Sequence, residues 1–179
     1  MEKDIAKILF SQDDLDNKVK ELGEKISKDY KDKELVLIGV LKGASVFMSD
    51  LMRSIDIPIS IDFMAVSSYG LSTTSSGVVK ILKDLDHSIE DKHVIIVEDI
   101  IDTGLTLHYI CENLKSRKPK SLKICTLLDK PERRKVEMTV DYKGFDIPDE
   151  FIVGYGIDYA EKYRNLPYVG ILKRNVYEK

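Results

Sequence analysis

The chain has 179 residues, a third of them charged, with 28 Lys and Arg against 31 Asp and Glu for a formal net charge of −3. This length suits one domain that buries its own core without metal or disulfide staples. The mild acidity makes the chain a poor prospect for general nucleic-acid binding, which requires clustered Lys and Arg, and two cysteines without a C-x-x-C pair, Cys111 and Cys125, point to reduced thiols in a cytoplasmic protein.

In chain order, "MEKDIAKILF" is too charged for a signal peptide. No apolar run approaches the ~18 residues of a membrane span, so no membrane partner is expected. Ser11 is placed to cap a first helix, with Asp14 as capping-box partner. Leu15, Val19, Leu22, Ile26 and Tyr30 then recur at steps of three or four and form one apolar stripe. "ELVLIGVL", Glu34 to Leu41, is apolar on both faces, as a strand covered on both sides in a parallel sheet must be. "KGASVFMSDLMRSI" reads as a turn and helix, and "IPISIDFMAVSSY" as a second strand. "HVIIVEDII" is a third strand, Gly104 to Arg117 a helix and "SLKICTLLDK" a fourth strand. "EFIVGYGIDY" and "PYVGILKR" read as shorter strands. Strands alternating with helices predict an α/β fold with a mostly parallel central sheet flanked by helices. Ser67 to Val79, "SSYGLSTTSSGVV", is small, polar and glycine-containing; composition alone reads it as a surface loop, and a lid is the functional alternative.

The chemistry gathers in "VIIVEDIIDTGLTL", where a strand gives way to a polar turn and a helix. Binding sites in open α/β sheets form at such carboxyl ends. Backbone N–H groups of a tight turn at a helix N-terminus make an anion cradle, and Thr103 and Thr106 add hydroxyls while Gly104 permits unusual dihedrals. "GVLKGAS" is not a G-x-x-x-x-G-K-S/T P-loop, and "GYGIDY" has Tyr159 where the third Gly of a dinucleotide motif belongs. Glu98 and Asp99 suit a vicinal diol or a hard cation such as Mg²⁺. A ribose 5-phosphate satisfies both ends, with acids at the diol and the Thr-Gly turn at the phosphate.

The apolar run followed by Glu98-Asp99, two apolar residues and Asp102-Thr103-Gly104-Leu105-Thr106 resembles the phosphoribosyl diphosphate signature of type I phosphoribosyltransferases. "GVLKG", "SSYG", "LLDKPERR" and "FIVGYGIDYAEKYRNLPYVGIL" are similar, in order, to the pyrophosphate loop, flexible loop, purine-reading lysine and base-binding hood of the hypoxanthine(-guanine) branch. The matches run from about residue 10 to 174.

The resemblance implies a single phosphoribosyltransferase domain over 1–179. A flexible catalytic loop lies at about 67–79, and terminal segments form a small hood over the base site. It implies that Lys42 and Gly43 hold pyrophosphate, the Lys42 amide in an unusual peptide geometry of the kind retained at functional sites, with Arg164 as their permanently charged fork. Glu98, Asp99 and Asp102 to Thr106 (Asp102, Thr103, Gly104, Leu105, Thr106) bind the phosphoribosyl group. Asp102 is also the general base at purine N7, although a helix N-cap is the ordinary use of such an aspartate. Lys130 donates to the 6-oxo group, Phe151 stacks on the base, Ile152 offers backbone contacts and Asp158 sits near the base. Ser68 and Tyr69 enter with the loop. Glu98, Asp99 and Asp158 are the implied ligands of Mg²⁺. The expected substrates are 5-phosphoribosyl 1-diphosphate with hypoxanthine or guanine, the products IMP or GMP and diphosphate, and the assembly a homodimer or homotetramer. A xanthine- or orotate-specific relative, and a non-catalytic regulator that binds nucleic acid, are the competing expectations. The acidic net charge and the retained Lys42, Asp102, Lys130 and Arg164 argue against the regulator.

Overall fold

The computed structural model describes residues 1–67 and 79–178. Ser68, Tyr69 and most of the expected flexible loop lie outside the described residues. The first helix, α1 (Gln12–Asp29), begins at Ser11 with a complete capping box: Asp14 N–H donates to the Ser11 hydroxyl, and the Asp14 carboxylate accepts from the Ser11 backbone. Its stripe of Leu15, Val19, Leu22 and Ile26 is buried. Each such side chain contributes about 1.5–3 kcal/mol through removal from water.

The central sheet has the order β4-β3-β2-β5-β6-β7, built from β2 (Leu35–Leu41), β3 (Ile59–Ser67), β4 (Lys80–Lys83), β5 (His93–Ile101), β6 (Ser121–Asp129) and β7 (Tyr142–Asp146). All neighbours are parallel except β3 and β4. The apolar runs of β2 and β5 follow from burial on both faces. Alternation sends Leu35, Leu37, Ile95 and Val97 into a core shared with α1 and α2 (Ser45–Arg53), and Val36, Ile38, Val94 and Ile96 into a second core with α3 (Leu105–Lys115).

A second, three-stranded antiparallel sheet joins β1 (Ile5–Phe10), β9 (Val169–Leu172) and β8 (Ile152–Val153) in that order. Both ends of the chain thus meet in one small layer, which is followed by α4 (Arg174–Tyr177). Sequence patterning overlooked β1, β4 and β7. Each is short, interrupted by lysines or aspartates, and lies at the edge of its sheet, where one flank is unpaired and charged residues are tolerated.

Candidate active site

The strand order reverses between β2 and β5. Following β2 the chain moves outward to β3, and β5 then returns to the other flank of β2. The loops leaving the carboxyl ends of those two strands diverge, and the crevice between them is the expected ligand position. The turn Lys42–Gly43–Ala44 leaves β2, and the Leu41–Lys42 peptide is cis, the unusual geometry that the resemblance implies. A β-carbon on Gly43 would meet Asp99 Oδ2 at 2.0 Å, so only glycine lets this turn lie against the end of β5.

From β5 the chain enters Asp102–Thr103–Gly104 and then α3. Gly104 takes φ +80° and sits at the helix N-cap, a left-handed conformation that costs other residues more. The Thr103 hydroxyl accepts from Leu105 N–H at 3.4 Å. The following first-turn N–H groups have no partner within the helix, and the positive end of its dipole points the same way. The segment after β6 braces this turn from outside. Lys130 N–H donates to Ile101 O at 2.9 Å, Lys135 N–H to Thr103 O at 2.9 Å, and Arg134 Nε to Asp102 O at 3.4 Å. Arg134 is itself held by buried Asp129.

A pocket of about 550 Å³ opens beside this cradle. Asp102, Lys130, Phe151, Ile152 and Asp158 all line it, so the positions assigned to the base from sequence converge on one cavity. Lys130 is buried, and its ammonium donates to Glu150 O at 2.7 Å. Phe151 stacks on Tyr177 with ring centroids 4.6 Å apart.

Arg164 and Lys42, the residues that the resemblance assigns to diphosphate, meet acids of the Asp158–Glu161 segment. Arg164 donates to Gly156 O at 2.8 Å and pairs with Asp158 at 2.9 Å. Its Nε is buried without a partner among the described residues. Lys42 reaches Glu161 at 2.9 Å on an exposed rim.

Glu98 and Asp99 are both buried. Burial, then the neighbouring Asp99 charge, pushes Glu98 well above the ordinary carboxylate range. Burial likewise raises Asp99 to about 6, with Arg164 opposing the rise. Two desolvated acids short of compensating charge fit a divalent cation. Among the described residues, however, no three His, Cys, Asp or Glu side chains form a metal cage.

Sequence reading overlooked Arg133, Arg134, Asp149, Glu150, Glu161 and Tyr177. The "ERR" after Lys130 was the available signal for the first two. Glu161 lies within the hood segment quoted above, whereas Asp149, Glu150 and Tyr177 flank it without a motif of their own.

The fold and the crevice define a phosphoribosyltransferase, and the chain belongs to that family: the phosphoribosyl transferase domain matches residues 11–160. Within the family, the chain is 57% identical over 178 residues to hypoxanthine-guanine phosphoribosyltransferase of Bacillus subtilis, covering 99% of both chains. It is 59% identical to the enzyme of that name from Streptococcus thermophilus, covering 100% of this chain and 99% of the relative. A crystal structure of a Staphylococcus aureus hypoxanthine phosphoribosyltransferase superposes with a TM-score of 0.97 at 55% identity, covering 100% of this chain and 97% of that one.

Proposed function

We propose that this protein transfers the 5-phosphoribosyl group of 5-phosphoribosyl 1-diphosphate to N9 of hypoxanthine or guanine, releasing diphosphate and forming IMP or GMP in purine salvage. The observation that carries the reading is the junction of two sites at the β2–β5 crevice. An anion cradle built of backbone donors abuts a cavity that a buried lysine and an aromatic ring share with Asp102.

In this reading, the α3 N-terminus and Thr103–Thr106 hold the 5′-phosphate, while Glu98 and Asp99 face the ribose hydroxyls. The diphosphate is gripped by the Lys42–Gly43 turn and by Arg164, whose buried Nε, without a partner among the described residues, supports that role. Lys130 donates to the 6-oxo group, Phe151 packs on the base, and the Ile152 backbone meets its edge. Asp102 accepts the purine proton at N7, which makes N9 the better nucleophile. Bond breaking at the anomeric carbon leaves an oxocarbenium-like centre. Charge grows on the departing diphosphate, where Lys42 and Arg164 stabilise it. Glu98, Asp99 and Asp158 are the residues that would hold Mg²⁺, which when bound supplies Lewis-acid stabilisation of phosphate charge. Ser68 and Tyr69 belong to the segment that would exclude water from the donor.

The single domain carries its own hood in this reading, and the enzyme works in the cytoplasm as a homodimer or homotetramer. Among the described residues no helix is long and apolar enough to cross a membrane. The decisive test is formation of IMP and GMP from the two bases and the diphosphate donor, with and without magnesium. No product with either base would overturn the proposal, and a preference for xanthine would overturn its substrate assignment. Sedimentation of the purified protein reads its assembly state.

A further inference from the structure

Arg133 stands in the base pocket in a position that the proposed reaction does not use. It lies on the turn Pro131–Arg133 that leaves β6. Its Nε donates to Asp102 Oδ1 at 2.6 Å, and its Nη1 reaches Asp149 Oδ1 at 3.2 Å. Asp102, Arg133 and Asp149 all line the cavity that also holds Lys130 and Phe151. The guanidinium therefore bridges two acids of the pocket. It is also the sole hydrogen-bond donor to the Asp102 carboxylate among the described residues. The Asp102 charge in turn holds the Arg133 guanidinium more firmly protonated.

We propose that Arg133 is an affinity-setting cap on Asp102, displaced by the purine. The inference rests on the reading of Asp102 as the group that meets purine N7. A carboxylate already engaged by a permanently charged donor is a weaker acceptor for a neutral base, so the incoming ring must displace Arg133 before N7 reaches it. Asp149 gives the displaced guanidinium a second anchor, which keeps the exchange inexpensive and reversible. The competition falls on the base alone. The donor is held by the β2 turn, Glu98, Asp99, the backbone of the Thr103–Thr106 turn and Arg164, and the one bond from Arg133 to that region is to the Asp102 side chain.

Both ends of the bridge are half exposed, with side-chain accessibilities of 44% for Arg133 and 46% for Asp102, so the effect is that of a solvent-facing ion pair. Arg133→Gln is expected to lower KM for hypoxanthine by about two- to five-fold. KM for 5-phosphoribosyl 1-diphosphate stays constant, and so does kcat at saturating base. Added salt screens the bridge, so the hypoxanthine KM of the wild type falls towards that of the variant as salt rises, while the variant's own KM is flat. The measurement is steady-state kinetics with each substrate varied, at low and high ionic strength. A hypoxanthine KM that is unchanged or raised in Arg133→Gln overturns the cap, as does an equal shift in both substrates' KM. An inactive wild type would instead sink the phosphoribosyl-transfer reading itself, so the two failures are separable.

Discussion

Gly43 and Asp99 interlock: a β-carbon at position 43 would fall 2.0 Å from the Asp99 carboxylate oxygen. The turn after β2 and the acid at the end of β5 thus define each other's position. That contact joins the proposed diphosphate grip to the proposed ribose grip.

Gly43→Ala tests the interlock. The added methyl must push either the turn or the carboxylate aside, and overpacking of this kind costs about 1–3 kcal/mol. Displacing positioning groups by an ångström costs about 100-fold in rate. The expected outcome is a lower Tm and a kcat/KM for the diphosphate donor reduced by about that factor, read from thermal melts and steady-state kinetics.

Asp102→Asn keeps the shape of the side chain and removes its basicity. Loss of a general base lowers turnover by about 10²–10⁴-fold, while the phosphate cradle next door is built from groups that the substitution leaves in place. Titration with IMP should find affinity nearly intact as kcat collapses. Unchanged turnover would remove Asp102 from the proton transfer.

Lys130→Ala should separate base from donor. The buried ammonium is tethered to Glu150 O at 2.7 Å, and a charged hydrogen bond to a 6-oxo group is worth about 1.5–3 kcal/mol. KM for hypoxanthine is therefore expected to rise by about 10- to 100-fold, with a much smaller change for the donor. The reverse pattern in the two KM values would show the site map to be wrong.

Asp99 gives a pH signature. Burial raises it from an ordinary 3.8 to about 6, so the folded protein binds more protons than the unfolded chain between those values. Stability must then fall as pH rises through that window and stay lower above it. The penalty at neutral pH is on the order of 3 kcal/mol. Asp99→Asn removes the titrating charge, so the variant's Tm should exceed that of the wild type by several degrees at pH 7.5, and the gap should close near pH 4. Magnesium should narrow the gap at pH 7.5 by neutralising the wild-type carboxylate, and EDTA should restore it. A gap independent of pH would mean that the acid is not held against its charge.

The α1 stripe, the apolar runs of β2, β5 and β6, and the Thr-Gly turn before α3 were legible because each is a local property. A buried parallel strand needs apolar residues on both faces, and an anion cradle needs small, hydroxylated and glycine residues in sequence. β7 was not legible: "YKGFD" lies on an edge that admits charge, and only its pairing with β6 reveals it as a strand. Arg133 was not legible either, because one of two adjacent arginines turns to the pocket and the other to Asp129 and the outside of the phosphate turn.

By itself the sequence determined the α/β class, the positions of the buried strands and the composition of the proposed phosphate turn, since hydrophobic period and turn chemistry act over a few residues. The tertiary structure alone decided that β2 and β5 are neighbours, that Gly43 abuts Asp99, and that Arg133 spans Asp102 and Asp149. Those encounters join residues far apart along the chain, and they exist only once the sheet order has reversed and closed the crevice.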